Sequence, residues 1–286
     1  MRKFDLKVVQ QDIKTIIDQS QDLYNSKTLK NIFSLIDLTS LKSTDHSTSI
    51  KSMVEKVNRF SEFYPEMPSV AAICVYPNMV ETVRKNLKID DIQLAAVSAG
   101  FPSSQTFTSI KAAETEIAVE KGADEIDIVI ALGAFLNKEF DFVADEISIV
   151  KSVMADAHLK VILESGLIPD LNQVYQASML SINAGADFIK TSTGKENPAA
   201  TLEAIYAMCH AIADHYKSTG KKIGLKPAGG ISNSKEAIAF YAVVKHILGE
   251  EWLNNSLFRI GASKLANDII HAIENIENKT ISKDYF

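Results

Sequence analysis

Cysteine is scarce in this 286-residue chain, which has only Cys74 and Cys209. Two cysteines are too few for a disulfide framework and fit a reducing compartment. No stretch is apolar for long enough to span a bilayer, and the first residues lack the apolar core of a secretory signal. The net charge of −6 comes without any basic stripe. We therefore expect a cytoplasmic protein that binds neither a membrane nor nucleic acid.

Several catalytic motifs are also missing. The six histidines are scattered, without a His-x-His or His-x-x-x-His pair that would place two metal ligands on one element. There is no Gly-x-Gly-x-x-Gly dinucleotide loop and no Walker phosphate loop. The Gly-x-Ser-x-Gly nucleophile elbow of serine hydrolases is absent as well. We accordingly expect an activity that uses no metal and no cofactor.

The pattern that is present is a regular alternation of short apolar runs with helical segments. With 46% hydrophobic and 23% charged residues, the chain can build a large core. The runs recur every 25 to 35 residues or so, about one strand-plus-helix unit, and predict a single (β/α)₈ TIM barrel over residues 1–286. The eight predicted strands lie at 33–38, 70–76, 93–98, 125–130, 159–163, 187–190, 222–226 and 258–261.

Both ends of the chain extend beyond the predicted barrel. Residues 1–30 are interpreted as a helical extension, with one helix at about residues 7–30 that covers either the barrel bottom or a partner subunit. Residues 275–286 are predicted to form a mobile tail, because chain ends are often poorly ordered.

Two predicted helices end at glycines that are expected to adopt the left-handed conformation of a helix stop. Asp127 and Lys190 each follow their glycine by five residues and should lie at equal heights on the fourth and sixth strands. Since alternate strands of a barrel contribute to the same interior layer, the two side chains should face each other. A buried structural ion pair is the alternative. The apolar stripes of these helices are Ile110, Ala113, Ile117 and Ala118 before Gly122, and Leu171, Val174, Ala177 and Ile182 before Gly185.

Lys190 ends the sixth predicted strand and is the strongest candidate nucleophile. Burial disfavours the ammonium form, and a neutral lysine amine attacks carbonyls to form a Schiff base. Lys226 ends the neighbouring strand, where a second positive charge would lower the pKa of Lys190 further. Lys160 on strand five could join this interior or form a salt bridge at the barrel bottom. The alternative for Lys190 is an ordinary lysine exposed at a strand end.

Glycine-containing turns follow the last strands, where barrels often bind phosphate. Gly229 and Gly230 come after strand seven and Ser263 after strand eight, while Thr193 and Lys195 occupy the polar turn after strand six. Backbone N–H groups at such turns and at helix starts can approach an anion closely. Tight turns without a ligand are the alternative. The residues alone thus indicate a covalent-lysine enzyme that acts on a phosphorylated carbonyl compound.

The chain closely resembles the deoxyribose-phosphate aldolase family of class I aldolases, nearly from end to end. The resemblance implies reversible cleavage of 2-deoxy-D-ribose 5-phosphate to D-glyceraldehyde 3-phosphate and acetaldehyde, in deoxyribonucleotide catabolism. It also implies a homodimer, as is common in that family. The matching segments are residues 37–41, 71–77, 101–102, 111–114, 122–127, 160–164, 185–195, 224–230 and 259–263.

Site roles follow from the same resemblance, residue by residue. Lys190 resembles the Schiff-base lysine, and Lys226 the lysine that lowers its pKa. Asp127 matches the aspartate that moves protons with an ordered water, and Asp37 and Lys160 match further members of the polar network. The residues that match phosphate contacts are Lys195, Gly229, Gly230 and Ser263.

Three positions depart from the family pattern. Ser104 stands where many relatives have glycine, and Lys264 where they often have serine. Tyr285 resembles a terminal tyrosine that reaches the active site in some relatives, but Phe286 follows it here. Two other functions stay open at this point: a phosphosugar-binding barrel without catalysis, and a class I aldolase for a different sugar phosphate. The loops after strands two and three would decide the latter.

Overall fold

A computed structural model describes residues 2–286 and contains eight parallel strands in the order β7-β6-β5-β4-β3-β2-β1-β8. Parallel bridges from Leu225 to Phe258 and from Ala228 to Gly261 join the β7 side to the β8 side. The predicted (β/α)₈ barrel is therefore confirmed. The strands are β1 Ile36–Thr39, β2 Ala72–Val75, β3 Gln93–Val97, β4 Glu125–Val129, β5 His158–Ile162, β6 Phe188–Lys190, β7 Gly224–Lys226 and β8 Ile260–Ala262.

Eleven α-helices accompany the strands in the described part of the chain, and none of them is long and apolar enough to cross a membrane. The helices are α1 Leu6–Asp18, α2 Ser26–Ser34, α3 Ser47–Phe63, α4 Val80–Asn86, α5 Thr108–Glu120, α6 Leu132–Leu136, α7 Phe140–Ser152, α8 Leu171–Asn183, α9 Leu202–Thr219, α10 Ser234–Leu248 and α11 Leu265–Ile276.

The N-terminal extension contains two helices, not the single one predicted. α1 packs against α9 and α10, and α2 packs against α10 and α11. The predicted start of the first strand at residue 33 is also wrong. Leu29, Ile32 and Phe33 are all buried at helical spacing, so this apolar run belongs to α2 and the strand begins at Ile36.

α5 is oriented differently from what its apolar stripe suggests. Ile110 and Ile117 are 55% and 56% exposed, whereas Lys111 and Thr115 are buried. Lys111 can be buried because its Nζ lies 2.5 Å from Glu146 on α7. A partner 35 residues away in the chain thus decides which face of the helix points inward.

The two glycines that were predicted to end helices agree with the structure. Gly122 and Gly185 have φ angles of 104° and 108°. In the predicted α8 stripe Val174, Ala177 and Ile182 are buried, and Leu171 is half-buried. Because both glycines precede strands of the same barrel layer, they bring Asp127 and Lys190 to the same height.

The C-terminal residues pack against α3 and α11. The Phe286 ring lies 5.3 Å from the Phe60 ring, and Tyr285 lies 5.4 Å from the same ring. Asn267 Oδ1 accepts hydrogen bonds from the backbone N–H groups of Tyr285 and Phe286. The mobility of residues 275–286 stays a prediction.

Candidate active site

A network of seven charged side chains fills the interior of the barrel. All seven side chains are nearly or fully inaccessible to solvent. Buried charges need partners, and each of these side chains has an oppositely charged neighbour within 3.1 Å. The network consists of Asp37 on β1, Glu125 and Asp127 on β4, Lys160 on β5, Lys190 on β6, Lys226 on β7 and Arg259 just before β8.

Asp127 lies at the centre of this network. Its Oδ2 is 2.8 Å from Lys190 Nζ and 2.7 Å from Lys226 Nζ, and its Oδ1 is 3.0 Å from Lys160 Nζ. The two lysines on Oδ2 come from adjacent strands, in which Lys190 and Lys226 are directly paired. The structure therefore brings together the aspartate and the three lysines that the sequence singled out.

The remaining members of the network, Asp37, Glu125 and Arg259, hold this centre in place through further ion pairs. Arg259 contacts Asp37 at 2.8 Å and Glu125 at 2.8 Å, and Lys160 contacts Glu125 at 2.5 Å. Lys226 also lies 2.6 Å from Asp37. Every carboxylate is thus shared by at least two cations, which fixes the lysine side chains in position.

The aromatic ring of Phe188 lies beside Lys160 and Arg259. The Phe188 ring is 5.9 Å from Lys160 Nζ and 5.8 Å from the Arg259 guanidinium carbon, distances that allow cation–π attraction. A Cβ at position 224 would lie only 2.3 Å from this ring. Gly224 is therefore required for Phe188 to occupy the barrel interior.

Lys190 differs from the neighbouring Lys160 and Lys226 in the direction of its pKa shift. Burial and the adjacent Lys226 ammonium lower the pKa of Lys190, although Asp127 acts in the opposite direction. Burial also disfavours the charged form of Lys226, but Asp127 and Asp37 outweigh it and raise the Lys226 pKa. Lys190 is therefore the lysine of this pair that gives up its proton more easily.

The carboxylates stay ionised. Burial opposes the charged form of Asp127, but Lys160, Lys190 and Lys226 together hold its pKa well below the usual range. Three carboxylates face four cations when every lysine is protonated. If Lys190 is neutral, three negative charges balance three positive ones, so the charge balance of the interior favours a free amine at this position.

Lys190 lies on the wall of a cavity of about 340 Å³ at the C-terminal ends of the strands. All predicted phosphate contacts line the same cavity, together with Thr193 and Lys264. The amine of Lys190 and the predicted phosphate contacts thus share one space. The lining also includes Thr39, Leu41, Lys42, Lys195, Gly229, Gly230 and Ser263.

Two glycine turns meet at one side of this cavity. Gly194 and Gly229 have φ angles of 75° and 88°, and a Cβ on Gly229 would lie 3.0 Å from the Cα of Gly194. Only glycines permit this close approach. α10 and α11 begin just after the cavity residues Ser232 and Lys264, so the positive ends of both helices lie near it.

The comparisons with known proteins agree with this geometry. Residues 32–258 match the model of the DeoC/LacD family aldolases. The chain belongs to the DeoC/LacD aldolase family. A human relative named deoxyribose-phosphate aldolase is 43% identical over 244 residues, which covers 82% of this chain and 77% of the relative.

Solved structures show the same barrel. A structure described as "QR15, an Aldolase" is 29% identical, has a TM-score of 0.68, and is matched over 86% of this chain and 96% of that one. A deoxyribose phosphate aldolase from Aeropyrum pernix, described as having a unique tetrameric structure, has a TM-score of 0.69 at 23% identity and is matched over 92% and 97% of the two chains. At this identity the second likeness shows the fold alone.

Four residues of the candidate site were not assigned a role from the sequence. Glu125 and Arg259 complete the buried network, and Lys42 lines the cavity. Glu164 is buried and accepts hydrogen bonds from the backbone N–H and the hydroxyl of Thr193. Glu125 had a signal in the sequence, because Glu125 and Asp127 are two residues apart on one strand and must share a face. Two carboxylates inside a barrel require cations nearby.

Tyr285 is not placed in the cavity of the aldolase. Its hydroxyl donates a 2.8 Å hydrogen bond to the carbonyl oxygen of Lys56 on α3. Ser104 is also away from the cavity: it has a φ of 58°, is buried, and donates to the Val129 carbonyl while accepting from Lys111. Ser104 therefore connects the loop after β3 to the end of β4.

Cys74 lies on β2 inside the barrel and is fully buried. Burial raises the pKa of its thiol. A protonated thiol is a poor nucleophile, so Lys190 is the better candidate. No group of His, Cys, Asp or Glu side chains suited to a metal ion is found within residues 2–286.

Proposed function

We propose that this aldolase cleaves 2-deoxy-D-ribose 5-phosphate reversibly to D-glyceraldehyde 3-phosphate and acetaldehyde through a Schiff base on Lys190. The observation that carries the proposal is the position of Lys190. Its pKa is lowered, and it lies on the wall of a cavity that is also lined by Lys195, Lys264 and glycine turns. The name of the human relative supports the choice of substrate.

In the cleavage direction, the neutral amine of Lys190 attacks the C1 aldehyde, and loss of water gives a protonated imine. A base then takes the proton of the C3 hydroxyl, and the C2–C3 bond breaks. C3 becomes the aldehyde carbon of glyceraldehyde 3-phosphate, while the electron pair of the broken bond moves into the imine to form an enamine. Protonation of the enamine at C2, followed by hydrolysis, releases acetaldehyde and restores the amine.

Asp127 is the group that we assign to proton transfer, acting through a water molecule. Its carboxylate lies 2.8 Å from the reacting nitrogen and so stands beside the carbon atoms of a substrate joined to Lys190. A carboxylate at this place can take up the hydroxyl proton and return a proton to the enamine through the same water molecule. Lys226 and Lys160 keep Asp127 in place and ionised.

The phosphate would lie between the turn at Gly229 and Gly230 and Ser263, which comes just before α11. Lys195 is exposed at this end of the cavity, and its Nζ now donates to the carbonyl of Leu41. Glu164 fixes the turn that bears Lys195, because Thr193 Oγ1 donates to Glu164 and accepts from the N–H of Lys195. In this arrangement the phosphate end of the substrate supplies binding energy, and the reaction takes place at the aldehyde end.

The deciding experiment is reductive trapping. We expect acetaldehyde and borohydride to attach an ethyl group to the peptide that contains Lys190, as read by mass spectrometry after proteolysis. The Lys190→Leu variant should fold normally, show no adduct on this peptide and lose cleavage activity. An adduct on another lysine of the active wild type, or turnover by Lys190→Leu, would refute the covalent role.

We also propose that the protein is a cytoplasmic homodimer. The family resemblance supports self-association, and two free buried thiols suit a reducing compartment. Light scattering coupled to gel filtration tests the oligomeric state, and cell fractionation tests the compartment. A monomeric mass at micromolar concentration, or recovery of the protein in a secreted fraction, would contradict the respective proposal.

A further inference from the structure

The cavity that contains Lys190 holds more positive charge than one phosphate group needs. Four lysines of the described chain line it, and no aspartate or glutamate of residues 2–286 does. Lys190 is the proposed nucleophile, which leaves Lys42, Lys195 and Lys264 for the ligand. Unbalanced charges of one sign in a cleft attract ions of the opposite sign from solution. The lining therefore indicates a ligand with more negative charge than a monophosphate carries.

We propose that Lys42 and Lys264 form a second anion site beside the predicted phosphate contacts. The two sites together bind a diphosphate group, with its inner phosphate at the turn of Gly229 and Gly230 and its outer phosphate between the two lysines. This inference rests on the proposed function for the place of the inner phosphate, and it adds a class of ligand to the same cavity. A bound diphosphate excludes the substrate and acts as a competitive inhibitor.

The backbone of Lys42 is fixed at the edge of the cavity, while its side chain is exposed. Its N–H donates a 2.9 Å hydrogen bond to Asp45 Oδ2, and the N–H of Asp45 donates to the Lys42 carbonyl at 3.0 Å. The Nζ of Lys195, a predicted phosphate contact, lies 2.5 Å from the carbonyl oxygen of Leu41. Lys195 thus reaches the residue next to Lys42, so the second site adjoins the first.

Lys264 is exposed and directly follows Ser263, another predicted phosphate contact. Because β1 and β8 pair in parallel, the loops that carry Lys42 and Lys264 are adjacent at the rim of the barrel. α11 begins after Lys264 without a side chain that caps its first N–H groups, whereas Asn233 caps α10. An uncapped helix start and a lysine at one point of the cavity both favour an anion there.

The positive charges of these two lysines are not balanced by the protein. Neither Lys42 nor Lys264 forms an ion pair within residues 2–286. Both also line a neighbouring cavity of about 720 Å³, whose lining includes three aspartates that are absent from the lining of the first cavity. The three are Asp45, Asp268 and Asp284. A second phosphate is therefore expected in the first cavity, where no carboxylate repels it.

Calorimetric titrations of the unreacted protein test the second site. The ligands are inorganic phosphate and inorganic pyrophosphate, compared at one ionic strength and without magnesium. We expect pyrophosphate to bind at least about 10-fold more tightly, because two further lysines contact it. The double variant Lys42→Met/Lys264→Ser should remove this difference and change the affinity for phosphate by less than about 3-fold. The control Lys88→Met removes an exposed lysine before β3 and should keep the difference.

Competition tests whether the diphosphate lies in the substrate cavity. Pyrophosphate should inhibit cleavage competitively with 2-deoxy-D-ribose 5-phosphate. Protein whose Lys190 carries the reduced substrate adduct should bind pyrophosphate at least about 10-fold more weakly, because the adduct already occupies the inner site. Inorganic pyrophosphate and diphosphate esters share the group that the site recognises, and a parallel titration with ADP shows which of the two binds more tightly.

The outcomes separate this inference from the proposed function. Equal affinities of the wild type for phosphate and pyrophosphate would overturn the second site. Tight pyrophosphate binding that survives the double variant or the substrate adduct would also overturn it, because the ion would then lie elsewhere. If no adduct forms on Lys190, the proposed function fails, and the titrations of the unreacted protein still decide whether Lys42 and Lys264 bind a diphosphate.

Discussion

Replacing Lys226 by methionine should return a proton to Lys190. Lys226 and Lys190 both contact Oδ2 of Asp127, at 2.7 and 2.8 Å, so their nitrogens are at most about 5.5 Å apart. With an effective dielectric constant of about 20, two unit charges at this distance repel each other by at least about 3 kcal/mol. Methionine removes this repulsion and leaves Lys190 alone on that oxygen of Asp127.

An energy of about 3 kcal/mol corresponds to roughly a 100-fold change in the fraction of free amine. We therefore expect Lys226→Met to trap acetaldehyde at Lys190 about 100-fold more slowly at neutral pH. The deficit should shrink as the pH rises, because the amine then loses its proton without help from a neighbour.

The assay is the initial rate of cyanoborohydride-dependent adduct formation at Lys190, measured across the pH range by mass spectrometry. Lys226→Arg keeps the positive charge and should largely preserve the wild-type pH profile. Lys111→Met removes a lysine from the distant pair with Glu146 and should lower stability without moving the profile. A deficit in Lys226→Met that is the same at every pH would refute the electrostatic reasoning.

Three further outcomes are expected. The pKa values of the three barrel carboxylates are lowered on folding, so the stability that they contribute is complete above the usual values of 3.8 and 4.5 and is lost as the pH falls below them. The urea midpoint of unfolding should therefore be flat near neutral pH and fall as the solution becomes more acidic. An unchanged midpoint in acid would contradict this. Glu164→Ala should raise the KM for the phosphorylated substrate about 10-fold with a smaller effect on kcat, because the turn that holds Lys195 loses its anchor; an equal loss with an unphosphorylated substrate would refute this role. Arg259→Met leaves Asp37 and Glu125 with fewer cations and should cost about 3 to 5 kcal/mol of unfolding free energy in urea titrations; a loss under 1 kcal/mol or so would show that the two carboxylates are satisfied without it.

The centre of the site could be predicted from local signals in the sequence. The equal offset of Asp127 and Lys190 from two helix-stop glycines is a property of chain geometry, and barrel symmetry converts it into proximity. Lys226 followed in the same way from its position at a strand end. These inferences succeeded because each depends on residues close together in the chain and on a regular fold.

The parts that escaped prediction depend on contacts between distant residues. The inward face of α5 is decided by the pair of Lys111 with Glu146, and periodicity alone pointed to the isoleucines. Arg259 could not be assigned because its partners lie 134 and 222 residues away. Hydrophobic patterning predicts burial from apolar character, and it cannot tell when a charged side chain is buried with its counter-ion.

The pairing of Asp37 with Arg259 has a consequence for biosynthesis. Asp37 is made early, but its cations come from Lys226 and from Arg259, which follows 222 residues later. At about 5 to 20 residues per second, a ribosome needs on the order of ten to forty seconds to cover that distance. Until Lys226 is made, β1 cannot be buried without leaving an unpaired carboxylate in the interior, and until Arg259 is made that carboxylate has only one of its two cations. A nascent chain stalled before residue 259 should therefore remain open and sensitive to protease, and the barrel should close only when its last strand has left the ribosome.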